Sequence, residues 1–252
     1  MTDAPAESAR HLRTVSVRRD ADRYVVTLDR PAARNAIDAA MIAELHTVCG
    51  LIESDPAPVL LTGKGEHFAG GADIGELRDR RRAEALAGIN RNLFDRIAAL
   101  PLPTVAAVSG YALGGGAELT YACDVRIATE TAVFGNPEPG LGILAAAGAT
   151  YRLPALVGQS VAKQVLLAGR TLDAATALRC GLVMDVVPAG EHIDAAHRAI
   201  DRITASSALA LRLTKSIVDG TGRVEDIAQA VLFETADKHD RMTAFLEKRS
   251  RR

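Results

Sequence analysis

Two glutamates in apolar surroundings could carry acid–base chemistry. Glu118 lies in the run Ala117–Leu119, and Glu138 lies in the stiff Asn-Pro-Glu-Pro turn of residues 136–139. A carboxylate in apolar surroundings needs a partner or a raised pKa, because desolvation disfavours its charged form. If both groups converge on one cavity, they could hold a water molecule and exchange its protons. An exposed turn is the simpler interpretation of Glu138 taken alone, since Glu is mostly a surface residue.

Two glycine-rich loops could supply backbone N–H groups to a developing negative charge. Gly114-Gly115-Gly116 precedes a predicted helix, and Gly70-Gly71 lies in a loop after a predicted strand. Glycine lets a backbone approach a ligand closely, and the first N–H groups of a helix are unpaired at the positive end of its dipole. Such turns can stabilise an oxyanion. Each loop alone is equally compatible with a packing turn.

Other chemical motifs lack the required spacing. Gly63-Lys64-Gly65 is not a Walker loop, no GxGxxG dinucleotide fingerprint occurs, and Ala107 replaces the first glycine of a nucleophile elbow at Ser109. The six histidines and three cysteines are scattered without metal-ligand or disulfide spacing. We therefore expect no metal site and no bound cofactor.

The elements that must position these residues alternate between strand and helix. Predicted strands span Thr14–Val17, Tyr24–Leu28, Val59–Thr62, Thr104–Val108 and Val125–Ala128, with predicted helices over Ala33–Glu53, Glu76–Leu100 and Ala117–Ala122. Gly110–Gly116 is predicted as loop. After Thr150 the pattern is helical from Gln159 onward, except for a strand at Leu182–Val187. An α/β core with right-handed crossovers, followed by a helical C-terminal part, is expected.

Composition excludes several partner classes. The 252-residue chain carries a formal net charge of -1, so no global basic field would attract nucleic acid or a membrane surface. No apolar run approaches the ~20 residues of a membrane span. The polar segment Met1–Arg13 is typical of a frayed tail and not of a signal peptide. The expected location is the cytoplasm.

Taken in order, the motifs resemble those of the crotonase (enoyl-CoA hydratase/isomerase) family over nearly the whole chain. The stretch from Ser109 to Leu119 is the most diagnostic, and Phe134–Glu138 and Phe68–Ile74 resemble two further family motifs. The resemblance implies an α/β fold, a spiral of ββα units over residues 1–190, which carries the site. It also implies a helical trimerisation region over residues 191–252 and a homo-oligomer, a hexamer built as a dimer of trimers.

The resemblance also assigns roles to single residues. Glu118 and Glu138 match the catalytic glutamates, and Ala72 and Gly115 match the two oxyanion-hole donors. The residues expected to bind the CoA thioester are Arg30, Arg34, Gly70, Asp73, Ile74, Gly114, Phe245 and Lys248. Of these, Phe245 and Lys248 match positions that reach the adenine end from a neighbouring subunit.

Departures from the family pattern concern substrate contacts. Leu144–Ala149 replaces a common glycine-rich stretch, which puts the acyl-length preference in question. Glu66 and Gly75 stand where many members carry lysine, so Arg30, Arg34 or the cluster Arg78–Arg82 are candidates for phosphate contacts.

The resemblance and the two glutamates together favour an enoyl-CoA hydratase of the fatty-acid β-oxidation type. It would add water syn to trans-2-enoyl-CoA and give 3-hydroxyacyl-CoA, with Glu118 activating water and Glu138 handling the C2 proton. An enoyl-CoA isomerase, which shuttles a proton between C2 and C4 with one glutamate, is the first alternative. A specialised acyl-CoA hydratase or lyase of a degradative pathway and a non-catalytic acyl-CoA-binding protein also remain open.

Overall fold

The computed structural model describes residues 9–20, 22–220 and 224–250. Its strands are β1 (Ala9–His11), β2 (Val15–Asp20), β3 (Arg23–Leu28), β4 (Val59–Gly63), β5 (Thr104–Val108), β6 (Tyr111–Leu113), β7 (Val125–Thr129), β8 (Val133–Gly135), β9 (Leu172–Asp173) and β10 (Asp185–Val187). Its α-helices are α1 (Ala39–Ser54), α2 (Ile74–Asp79), α3 (Arg82–Ala87), α4 (Ile89–Ala98), α5 (Gly115–Tyr121), α6 (Ala149–Leu166), α7 (Ala174–Arg179), α8 (His192–Thr204), α9 (Ala208–Asp219), α10 (Glu225–Phe233) and α11 (Ala236–Ser250).

A seven-stranded sheet forms the centre of the fold, in the order β1-β2-β3-β4-β5-β7-β10. Pairing is antiparallel from β1 to β3 and parallel from β3 to β10. Strand β5 is buried along its whole length, as a parallel strand covered on both faces should be. Helix α8 packs on one face of the sheet, and α1 and α4 lie on the other. The parallel pairing brings the loops that follow β4, β5 and β7 to one edge, where open α/β sheets bind ligands.

A second, three-stranded sheet in the order β6-β8-β9 was not predicted. The sequence predicts a loop over Gly110–Gly116, but Tyr111–Leu113 forms β6, which pairs in parallel with β8. Each of these strands is too short to show a clear alternation of apolar and polar residues. Two ββα units result, β5-β6-α5 and β7-β8-α6, and the prediction of ββα units is met there. The second sheet places both predicted glutamates after its strands.

The helix predicted from Ala33 begins later, at Ala39. Arg34 and Asn35 adopt left-handed φ values of 51° and 54°, which a helix cannot include. The Asp38 side chain then caps α1 by accepting a 2.8 Å hydrogen bond from the Met41 N–H. Asn35 is buried, and its amide donates to the carbonyls of Lys64 and His67. The entry to α1 is therefore tied to the loop that follows β4.

Three other predicted boundaries differ from the structure. The helix predicted over Glu76–Leu100 is divided into α2, α3 and α4, with a left-handed break at Gly88. The helix predicted from Gln159 is the second part of α6, which is interrupted at Gly158 by a φ of 75°. The last three residues before Leu12 form β1, so the predicted tail is structured there; residues 1–8 lie outside the described residues.

The C-terminal part is helical, as predicted. Within the described residues, α9 and α10 contain no fully buried residue, whereas α8 buries one face against the sheet. Lys215 of α9 forms an ion pair with Asp124, which joins this region to the core. None of the helices in the described ranges is long and apolar enough to cross a membrane.

Candidate active site

Glu118 lies on α5, a helix whose residues are all buried. Its side chain is held by the loop before α6 and by the first residue of that helix, since Oε1 accepts hydrogen bonds from the N–H groups of Ala147 at 2.8 Å and Ala149 at 3.1 Å. With only 3% of the residue exposed, burial raises the pKa of Glu118 to about 7, reinforced by the charge of Glu138 and opposed by the two N–H groups. This carboxyl can therefore gain or lose a proton near neutral pH.

Glu138 follows β8 and opens a short 3-10 helix, Glu138–Leu141. The residue is 7% exposed, so the interpretation of an exposed turn is wrong. Oε1 lies 3.5 Å from the Asn136 amide nitrogen, and Oε2 is buried without a hydrogen-bond partner among the described residues. Burial raises the pKa of Glu138, an effect opposed by its own backbone N–H and, to a smaller extent, by the Asn136 amide. A partly unpaired carboxyl of raised pKa is suited to proton transfer.

The two glycine-rich loops meet beside these carboxyls. A Cβ atom added to Gly115 would lie 3.3 Å from the Ala72 nitrogen, and one added to Gly114 would lie 3.2 Å from Oε1 of Glu138. Gly114 has a φ of 51°, in the left-handed region that favours glycine, and this conformation leads the chain from β6 into α5. Among the described residues, neither the Ala72 N–H nor the Gly115 N–H donates a hydrogen bond. Two adjacent donors of this kind can stabilise an oxyanion.

Four of the eight residues predicted to bind substrate line one cleft of about 350 Å³, together with the predicted oxyanion donor Ala72. Its lining includes Arg34, Gly70, Ala72, Asp73 and Ile74 of the predicted set, together with Tyr111 and Leu113. Gly114 lies at the carboxyl pair, next to Glu138. The structure thus gathers the residues of two sequence-distant loops around one opening.

Arg30 is engaged by protein groups. Its guanidinium lies 3.2 Å from an oxygen of Asp38 and 3.4 Å from one of Asp73, and it donates to the carbonyl of Ala36. Arg30 and Asp73 therefore offset each other's charge, and the pair braces the loop instead of presenting a free cation. Arg34, which is exposed at the cleft, is better placed to meet a phosphate.

Comparison with known proteins places this geometry in a family. The family model described as Enoyl-CoA hydratase/isomerase matches residues 20–252. The chain belongs to the enoyl-CoA hydratase/isomerase family. It is 39% identical over 252 residues to the short-chain-enoyl-CoA hydratase of Clostridium acetobutylicum, covering 94% of this chain and 96% of that protein. It is also 39% identical over 238 residues to the crotonyl-CoA hydratase of Syntrophomonas wolfei, covering 89% and 92%.

Solved structures agree with the family assignment. The 1.8 Å crystal structure of enoyl-CoA hydratase from Bacillus anthracis superimposes with a TM-score of 0.87 and 33% sequence identity, covering 94% of this chain and 97% of that chain. The predictions of the crotonase superfamily and of its α/β fold with a helical C-terminal region are therefore confirmed.

Two residues that were predicted to bind CoA lie outside the cleft. Phe245 and Lys248 are on α11, where they are exposed, and neither lines the cleft formed by the loops of the same chain. A contact with the substrate of a neighbouring subunit stays a prediction for both residues.

The site also contains residues that were not predicted. Tyr121 and Asn136 are buried next to the carboxyls, and Tyr111 lines the cleft while its ring stacks on His67 at 4.5 Å. The sequence signal that could have identified Tyr121 was its spacing from Glu118, because residues three apart share a helix face.

The loop that departs from the family pattern borders a separate groove of about 530 Å³. Its lining includes Pro139, Leu144 and Ala145, together with residues of α6 and Leu167 directly after that helix. What the sequence did not indicate is that the same loop supplies the N–H groups that hold Glu118.

Proposed function

We propose that this chain is an enoyl-CoA hydratase, which adds water to trans-2-enoyl-CoA and releases 3-hydroxyacyl-CoA. The observation that carries the proposal is the convergence of two buried carboxyls of raised pKa beside the N–H groups of Ala72 and Gly115, which donate to no acceptor within the described part of the chain. The names of the hydratases from Clostridium acetobutylicum and Syntrophomonas wolfei support the same activity.

The thioester oxygen would bind between the two N–H groups. Attack of water on C3 moves electrons through C2 to this oxygen, so negative charge develops there in the transition state. Two fixed donors at this position stabilise that charge more than they stabilise the neutral thioester. Ala72 and Gly115 are thus proposed to lower the barrier.

The two glutamates would divide the proton transfers. Glu118 takes a proton from water as the C3–O bond forms, and Glu138 supplies a proton to C2, so that the elements of one water are added. Transfer of one proton from Glu118 to Glu138 then returns both carboxyls to their starting states, because coupled carboxyls share protons. The addition is redox-neutral and the thioester is already polarised, so the proposed reaction requires no cofactor; CoA is part of the substrate.

The direct test is to follow the loss of enoyl absorbance with crotonyl-CoA and to identify the product. Rapid formation of 3-hydroxybutyryl-CoA is expected, and longer trans-2-enoyl-CoAs would map the contribution of Leu144–Ala149. Retained CoA binding with no hydration at any chain length would contradict the proposal. Conversion of 3-enoyl-CoA in that case would point to an isomerase, and binding without any turnover to a non-catalytic acyl-CoA-binding protein.

A pH dependence follows from the role of Glu118 as base. Its pKa is raised from 4.5 to about 7, so the group becomes protonated and unable to accept the water proton as pH falls below about 7. We expect kcat/KM for crotonyl-CoA to decline on this acidic side, by about tenfold per pH unit, because kcat/KM reports the free enzyme. A profile that stays flat down to pH 5 would contradict the assignment of Glu118.

We also propose a homo-oligomer, with a hexamer as the expected state. The C-terminal helices expose apolar side chains that a soluble monomer rarely presents as a patch. These side chains include Ile227, Val231, Phe233, Phe245 and Leu246, of which Phe245 is 66% exposed. A subunit contact over this surface would bury them and could bring Phe245 and Lys248 to a neighbouring cleft. Light scattering of the purified chain should give the mass of a hexamer, and the mass of a monomer would contradict the proposal.

A further inference from the structure

The buried face of α5 that carries Glu118 carries a second polar side chain. Tyr121 follows Glu118 by three residues, so both project from the same side of the helix. Its hydroxyl is buried and donates a 3.2 Å hydrogen bond to Oδ1 of Asn136. Burial and the two nearby glutamates raise the pKa of the Tyr121 phenol, so it stays a protonated donor.

Asn136 joins this hydroxyl to Glu138. Its residue is 2% exposed, and its amide nitrogen faces Oε1 of Glu138 at 3.5 Å while its amide oxygen faces Tyr121. The opposite amide orientation would set the Asn136 oxygen against Oε1 of Glu138, which is an acceptor both in the carboxylate and when the proton is on Oε2, and two acceptors repel. The phenol hydroxyl therefore selects the orientation in which Asn136 can donate.

We propose that Tyr121 and Asn136 are positioning residues for Glu138, holding Oε1 so that Oε2 is the oxygen that transfers the C2 proton. The inference rests on the proposed function of Glu138. Gly114 also borders Oε1, because a Cβ atom added there would lie 3.2 Å from it. Oε2 is the carboxyl oxygen that is buried without a partner among the described residues. A carboxyl held through one oxygen has one orientation in which its other oxygen meets the substrate.

The test compares Tyr121→Phe with a matched control, Tyr24→Phe. Tyr24 is also buried, and its hydroxyl makes a 3.2 Å hydrogen bond to a side-chain oxygen of Asp55, away from the site. Both variants are made in the wild-type chain and in Glu138→Gln. The readouts are kcat and KM for crotonyl-CoA hydration, and the exchange of the C2 proton of butyryl-CoA in D₂O, which needs a base at C2 but no hydration.

Tyr121→Phe should lower kcat by about tenfold with little change in KM, because it removes one hydrogen bond of the positioning network. In the Glu138→Gln background the same change should have no further effect, since the group it positions is absent. Tyr24→Phe should leave kcat unchanged in both backgrounds. Asn136→Ala provides a second variant and should reproduce the Tyr121→Phe result without adding to it.

An equal loss from Tyr121→Phe in both backgrounds would overturn the inference, because that result indicates a general structural role. If the wild-type chain does not hydrate crotonyl-CoA but exchanges the C2 proton, the proposed function fails and the exchange rate gives the same comparison for Tyr121. If the wild-type chain does neither, the inference fails as well, because Glu138 then moves no C2 proton.

Discussion

Replacing Glu118 or Glu138 with Gln is expected to lower kcat for crotonyl-CoA hydration by about 10²-fold or more in each variant. Gln preserves the shape of the side chain, and at position 118 its oxygen can still accept from Ala147 and Ala149. What it removes is the ability to take up or release a proton. CoA binding, measured by calorimetry, should stay close to that of the wild-type chain.

Glu44→Gln is the matched control for these variants. The Glu44 carboxylate also accepts two backbone N–H bonds, from Arg13 at 2.9 Å and Thr14 at 2.8 Å, but it braces the N-terminal segment against α1. Its replacement should leave kcat unchanged. The double variant Glu118→Gln/Glu138→Gln should lose less than the product of the single losses, because residues that act as a unit are not additive. Full activity in either single variant would contradict the two-glutamate mechanism.

Gly116→Ala is expected to destabilise the fold and the site together. A Cβ atom at this position would lie 2.2 Å from the carbonyl oxygen of Ala69 and 2.8 Å from its carbonyl carbon. Backbone cannot be pushed aside cheaply, so α5 must move away from the loop that carries Ala72. Overpacking of this kind costs about 1–3 kcal/mol or more, and a Tm lower by roughly 3–10 °C is expected in calorimetry. kcat/KM should fall as well, because Gly115 moves with α5.

A glycine-to-alanine substitution at Gly50 is expected to raise the free energy of unfolding instead of lowering it. Gly50 lies inside α1, and a Cβ atom there would contact only the end of the Arg96 side chain, at an ordinary 3.5 Å. Alanine restricts the unfolded chain and favours helix, so Gly50→Ala should stabilise by about 0.5–1 kcal/mol. Equal stability of the two variants would show that α5 can adjust without leaving the loop at Ala69.

Local sequence was sufficient to predict the long strands and to single out Glu118. Thr104–Val108 is a continuous apolar run, and such runs identify strands buried on both faces. Glu118 stood out because its charge interrupts an apolar run, whereas Glu138 lies in a proline turn for which an exposed position was the simpler interpretation. The family resemblance then supplied the role of Glu138 and added Ala72 and Gly115, whose side chains carry no functional group.

The contacts that hold these groups could not be predicted, because they join distant parts of the chain through backbone atoms. The N–H groups of Ala147 and Ala149 lie about thirty residues from Glu118, and no residue type marks a backbone donor. Strands β6, β8 and β9 have two or three residues each, which is too short for a periodic signal. The late start of α1 depends on two left-handed residues, Arg34 and Asn35, that propensity does not identify.

The segment of residues 144–149 has two structural roles that depend on different atoms. Its backbone holds Glu118, while its side chains at Leu144 and Ala145 line the groove beside α6. A substitution that keeps the path of the main chain alters the shape of the groove and leaves both donors in place. Side chains of this segment can therefore be exchanged to reshape the groove while the backbone support of Glu118 stays the same.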